Sequence, residues 1–240
     1  MKKLQIVRGG LPLVAGTLSS ARWDLLGNAS ELPCDIVEIR LDELGWDGDW
    51  LERCQAVEAS GLPVLLTIRH RAEGGKWSGP EEQRLDLYRQ AINHVSAVDV
   101  ELRSGLGRTV VELARNSGKC GIVSYHDFVR TPPTAELRAV MMEAQEFASV
   151  AKIATMVQHE TDLELLRPLL GGEWKVPVCV MGMGAVGAAA RVDFAVAGSC
   201  LSYGYVDQPA APGQPSAAEL VRGLQAALPA YRRRRTNRLE

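Results

Sequence analysis

Long hydrophobic runs are missing from this 240-residue chain. None approaches the roughly 20 apolar residues that a membrane-spanning helix needs, so no membrane association is expected. A basic excess is missing too. The net charge is −2, from 27 Lys and Arg against 29 Asp and Glu, which argues against a general nucleic-acid binder. Cysteine pairing motifs are also lacking. Cys34, Cys54, Cys120, Cys179 and Cys200 are odd in number and no two have CxxC spacing. Reduced core cysteines in a cytoplasmic protein are the simplest reading. Lys2 and Lys3 are followed by Arg8-Gly9-Gly10, which break any apolar stretch, so no signal peptide is expected. There is no linker, repeat or low-complexity segment.

What the chain does have is a recurring alternation. Eight short apolar runs rich in Val and Ile, bounded by Gly or Pro, read as strands: 11–18, 35–42, 62–69, 97–102, 119–126, 149–156, 176–183 and 198–206. Between them lie helix-like stretches at 49–60, 80–95, 106–116, 132–147, 158–170, 187–197 and 215–228, with a shorter one at 19–30. In 80–95, Leu85, Tyr88, Ile92 and Val95 recur three and four apart, as on one helix face. Strand and helix alternating eight times predicts an α/β fold, a (β/α)8 TIM barrel in a single domain over 1–240. A doubly wound open sheet is the alternative. Residues 1–10 are read as a short N-terminal extension and small closing element, and 230–240 as a basic C-terminal tail. In that tail Arg232-Arg233-Arg234-Arg235 reads as a solvated end.

The sixth run, Ser149-Val150-Ala151-Lys152-Ile153-Ala154-Thr155-Met156, carries one lysine in its middle. Burying an ammonium is costly, and a desolvated lysine tends toward the free amine that forms Schiff bases. Neighbouring runs carry similar oddities at the same end. Glu38 and Arg40 share a face near the end of the second, because alternate strand residues point the same way. Arg69 closes the third, with Glu73 following in its loop; Asp99 and Glu101 lie in the fourth; His126 ends the fifth; Arg191 follows the seventh. Read singly, each has a bland alternative: an ion pair for Glu38 and Arg40, a satisfied core histidine for His126, and barrel-stabilising roles for Asp99 and Glu101, which are left in them. Five consecutive strands each burying charge at one rim favour a polar ligand there. The chemistry suggested is a Schiff-base enzyme acting on a small anionic carbonyl compound. Lysine forms the iminium, histidine removes an adjacent C–H proton and later protonates a leaving hydroxyl, and arginines hold a carboxylate.

The ordered set Val37-Glu38-Ile39-Arg40-Leu41-Asp42, Thr67-Ile68-Arg69 with Glu73-Gly74-Gly75, Val98-Asp99-Val100-Glu101, Ser124-Tyr125-His126-Asp127-Phe128, Lys152-Ile153-Ala154 and Ala211-Pro212-Gly213-Gln214 resembles type I 3-dehydroquinate dehydratase. That resemblance implies conversion of 3-dehydroquinate to 3-dehydroshikimate and water in the shikimate pathway, without metal or nucleotide cofactor, by a protein that is commonly a homodimer. It implies Lys152 as the imine-forming lysine, His126 as general acid/base and Glu73 as its acidic helper. It implies Glu38, Arg40, Arg69, Arg191 and Gln214 as substrate-binding residues. Ala190 and Ala210 stand where the family often has serine, and Thr17 aligns loosely with a hydroxyl contact.

Two other readings compete. Gly182-Met183-Gly184-Ala185-Val186-Gly187 spells GxGxxG, with Asp207 beyond it. A dinucleotide fold needs further strands after that point, so a tight strand-to-helix loop leading to Arg191 is expected instead. The barrel alone also fits another Schiff-base lyase, such as an aldolase, or a non-catalytic relative that only binds ligand.

Overall fold

The structure, a computed structural model, describes residues 4–20, 22–209 and 214–239. Eight strands appear, seven of them inside an expected run and β5 one residue past the end of its own: β1 Leu13–Leu18, β2 Ile36–Arg40, β3 Val64–Thr67, β4 Ala97–Glu101, β5 Cys120–Asp127, β6 Val150–Met156, β7 Val178–Met183 and β8 Leu201–Tyr205. All neighbouring pairs are parallel, in the order β8-β1-β2-β3-β4-β5-β6-β7. At the β7/β8 seam, Cys200 N–H donates to the Val178 carbonyl at 2.8 Å. Ser199 Oγ there accepts from Val180 N–H at 3.0 Å and donates to the Leu201 carbonyl at 3.0 Å. The sheet is thus a nearly closed (β/α)8 barrel in one domain, and the open-sheet alternative falls.

The helices are α1 Leu41–Leu44, α2 Trp50–Ala59, α3 Glu81–Ala91, α4 Gly107–Asn116, α5 Thr134–Ala144, α6 Glu160–Leu170, α7 Gly184–Ala189, α8 Arg191–Val196, α9 Ala217–Ala227 and α10 Pro229–Leu239. Short 3-10 segments cover Trp23–Glu31 and Arg71–Glu73. The expected helix at 19–30 is therefore a 3-10 segment, and the one at 187–197 is two short helices meeting at Ala190. The arginine-rich tail is not a loose solvated end. Its helix α10 docks under the barrel because the Asp35 carboxylate, 3% exposed, draws it in. Tyr231 Oη donates to Asp35 at 2.7 Å, and Arg234 and Arg235 donate to the carbonyls of Pro12 and Cys34 at 2.8 Å each. Leu4 and Ile6 pack against the inner apolar cluster.

The interior is layered by the two-residue strand period. Ala15, Ile36, Leu65, Ala97, Ile122, Val150, Cys179 and Leu201 form one buried apolar cluster. Two residues further along each strand come Thr17, Glu38, Thr67, Asp99, Ser124, Lys152, Met181 and Tyr203, all buried as well. The second layer is polar on six of its eight strands. It lies toward the C-terminal ends, where barrel chemistry is done.

Candidate active site

Lys152 is 4% exposed in the middle of β6. Its Nζ donates to Asp99 Oδ2 at 2.9 Å and lies 4.0 Å from the centroid of the Tyr203 ring. An ammonium so deep needs that partner, since an unpaired buried charge costs several kcal/mol, on the order of 3–5 when one partner is removed. The other oxygen of Asp99 accepts from Arg69 at 2.6 Å and from Ser124 Oγ at 2.6 Å. Burial would push Asp99 up, but Arg69, Lys152 and His126 together hold it far below the usual carboxylate range. Asp99 is thus part of the site rather than only a barrel brace. The brace is Glu101, which accepts from Arg84 at 2.8 Å and from His70 N–H at 2.7 Å.

The neighbouring strand β5 supplies His126 and the segment after β3 supplies Glu73, which together form a pair of titrating groups. His126 Nδ1 is 2.8 Å from Glu73 Oε2, and the same oxygen accepts from the His126 backbone N–H at 3.0 Å. Glu73 is pushed up to about 7, first by burial. His126 is held well below its ordinary value, by burial and then by the Arg69 and Lys152 cations, so its ring is neutral near pH 7. Two glycines allow the loop that brings Glu73 in. Gly74 has φ +76°, and a Cβ on Gly75 would sit 2.0 Å from the Arg69 carbonyl oxygen. The Phe128 ring lies beside His126, with centroids 6.2 Å apart and planes 22° apart.

The three candidate arginines are not equivalent. Arg40 is committed to Asp42, with Nε and Nη2 donating at 3.0 and 2.8 Å. Arg69 is committed to Asp99 and Ser124. Burial alone would depress Arg69, but Asp99 and Glu101 hold it well above its ordinary value. Arg191, 8% exposed at the start of α8, donates through Nη1 to the Tyr203 carbonyl. Its Nε is buried without a partner among the described residues, and no carboxylate offsets burial, which pushes the group down to about 10. A buried guanidinium left this way is a seat for an incoming anion. Glu38 does not pair with Arg40. Its two oxygens accept from Thr17 and Thr67 hydroxyls, each at 2.8 Å.

Sequence reading missed Tyr203, Thr67 and Ser124, all in the polar layer. The signal was available: they sit two residues beyond Leu201, Leu65 and Ile122. Gln214 is half-buried just past residues 210–213, and its approach to a substrate stays an expectation; Ala210 lies outside the described residues. Ala190 is buried directly before Arg191. The GxGxxG segment is a tight turn, as expected. Gly184 has φ +77°, and a Cβ on Gly187 would lie 2.4 Å from the Gly182 carbonyl carbon, so β7 and α7 meet backbone to backbone. With the strands closed into a barrel, no dinucleotide half-fold follows. Among the described residues no helix is long and apolar enough to cross a membrane.

A family model described as type I 3-dehydroquinase matches residues 11–228. A 3-dehydroquinate dehydratase of Methanocella arvoryzae is 35% identical over 215 residues, covering 89% of this chain and 96% of its own. One of Methanosarcina barkeri is 39% identical over 214 residues, covering 84% and 88%. Among solved structures, the 3-dehydroquinate dehydratase of Geobacillus kaustophilus superposes with a TM-score of 0.81 at 26% identity, over 91% of this chain and 92% of that one. A type I enzyme of Clostridium difficile, described with covalently modified comenic acid, superposes with a TM-score of 0.78 at 27% identity, over 94% and 97%.

Proposed function

The chain belongs to the type I 3-dehydroquinase family, and from that premise we propose that it dehydrates 3-dehydroquinate to 3-dehydroshikimate through an imine on Lys152. The observation that carries this reading is one buried cluster: a lysine, a neutral histidine paired with a carboxyl group, and a guanidinium with no acidic partner.

The substrate's carboxylate enters beside Arg191, whose charge it neutralises. Its ring ketone faces Lys152. Attack needs the free amine, so the ammonium first releases a proton. Asp99 is held far below the usual carboxylate range, and His126, whose ring is neutral, is read as the group that takes the proton. Addition to the ketone gives a carbinolamine, His126 returns the proton it took to the new hydroxyl, and that oxygen leaves as water to give an iminium, which draws electrons from the neighbouring carbon. His126 takes the proton from that carbon, Glu73 accepts the Nδ1–H of the resulting imidazolium, and the proton then passes to the departing hydroxyl. Hydrolysis of the product imine consumes the first water, so one water is released in all. Glu38, fixed by Thr17 and Thr67, contacts substrate hydroxyls, and Gln214 approaches from the loop after β8. Arg40 and Arg69 act mainly by fixing Asp42 and Asp99. The Clostridium difficile relative is described with covalently modified comenic acid, which supports covalent chemistry here.

The protein is further read as a cytoplasmic homodimer without cofactor, testable by light scattering. The direct test of the function is ultraviolet detection of conjugated product from 3-dehydroquinate. Wild type is expected to turn over, and Lys152→Met to lose at least 10³-fold in kcat, the order a covalent nucleophile supplies. A folded wild type that binds 3-dehydroquinate without converting it would make it a non-catalytic relative.

A further inference from the structure

Glu73 also lines a cavity of about 290 Å³. It lies between the loop after β3 and the loop after β4, and its lining includes Ala72, Glu73, Glu81, Arg84, Ser104 and Gly105. Lys152, Arg40 and Arg191 do not line it, so it is separate from the space where the substrate is read to sit. Ala72 and Gly105 are exposed, which puts its mouth at the surface.

Two observations give this cavity its character. Glu81 Oε1 and Arg84 Nε are buried without hydrogen-bond partners among the described residues, and both residues line it. Arg84 is fully buried although charged. Unsatisfied buried polar atoms beside an open volume call for water, and one water needs only about 10–15 Å³ of such space. Glu73 is the one lining side chain that also bonds His126, through Oε2 at 2.8 Å.

We propose that this cavity is a hydrated port through which the Glu73–His126 pair exchanges protons with bulk water while substrate covers the mouth of the barrel. The inference rests on the proposed role of that pair. The path runs from His126 Nδ1–H to Glu73 Oε2, and from the Glu73 carboxyl to cavity water, which returns a proton by the same route. No net proton is consumed, because the elimination is balanced within the site. The port keeps the pair in protonic equilibrium with bulk water while the barrel mouth is covered. A carboxyl that titrates near neutrality suits such a shuttle.

The port can be plugged from outside. A Cβ on Gly105 would meet nothing within 4 Å, and its φ is not positive, so Gly105→Leu fills the mouth without backbone strain; Ala72→Leu is a second, exposed plug, and Gly105→Ala is the control. The readout is saturation transfer from water to the His126 Nδ1–H in nitrogen-labelled protein, with and without ligand fixed on Lys152 by borohydride. Thermal melting checks folding. The expected result is an exchange rate at least tenfold slower in both leucine variants with ligand fixed, and unchanged in Gly105→Ala. An exchange rate within twofold of wild type in folded, ligand-fixed leucine variants overturns the port. Failure to fix ligand on Lys152 in wild type is a separate outcome that overturns the imine reading. The port is then tested with the barrel mouth covered by saturating 3-dehydroshikimate, where equal rates in wild type and both leucine variants reject it.

Discussion

Asp99 holds Lys152 through one carboxylate oxygen at 2.9 Å and Arg69 through the other at 2.6 Å, so one acid on β4 neutralises a cation on β6 and another just past β3. Removing it leaves two buried cations with one carboxylate fewer. Asp99→Ala is expected to lose about 3–5 kcal/mol in chemical denaturation. The folded-state titration of Asp99 is depressed, so its stabilisation is present above the unfolded value of about 3.9 and is lost as pH falls below it. The wild type should therefore weaken below about pH 4 more steeply than Asp99→Asn. Parallel stability curves from pH 6 to 2.5 would refute this.

Glu73 gives the opposite sign. Its titration is raised from 4.5 to about 7, so the folded state disfavours the carboxylate. Its favourable contribution is complete below the unfolded value and is lost as pH rises through 7, a swing of roughly 3 kcal/mol. Glu73→Gln should thus be more stable than wild type at pH 8.5 and not at pH 4.

Catalysis needs the ionised form that stability disfavours. The kcat/KM of wild type should fall about tenfold per unit below pH 7, as Glu73 gains its proton and no longer accepts from His126. In Glu73→Gln that acid limb should vanish and the plateau drop about 10²-fold or more. An unchanged limb would assign it to another group.

Arg191 is the site's uncompensated cation. Arg191→Met is expected to raise KM by about 10² or more, the value of a lost charge-assisted pair, with a smaller effect on kcat. Its melting temperature should stay level or rise, because a buried guanidinium with an unpartnered Nε is removed. A clear drop in melting temperature with KM unchanged would make Arg191 structural.

At the other end of the barrel, Tyr231→Phe leaves Asp35 without the 2.7 Å hydroxyl bond from α10. The expected cost is about 1–2 kcal/mol of stability with kcat unchanged, read by denaturation and steady-state assay. A change in kcat at full folding would connect α10 to the site.

The barrel was legible because its strands are short apolar runs at even spacing, and every one formed where the alternation placed it. Lys152, His126 and Glu73 stood out as charges in or beside those runs, and His126 meets Glu73 while Lys152 meets Asp99. Roles that depend on partners across strands were not legible. Asp99 looks like Glu101 in sequence, two residues away on the same face, yet one meets Lys152 and the other Arg84. Arg40, Arg69 and Arg191 look alike too, and only the packing of Asp42 and Asp99 against the first two leaves the third without an acid. The docking of α10 was hidden for the same reason, since Asp35 is nearly 200 residues from the arginines it attracts.

Borohydride reduction in the presence of 3-dehydroquinate, followed by peptide mass spectrometry, tests the imine most directly, because reduction turns an imine into a stable amine. The expected result is a ligand-sized mass increase on the peptide carrying Lys152, absent without substrate and absent in Lys152→Met. Intact, folded wild type with no adduct, or an adduct on another lysine, would contradict the mechanism.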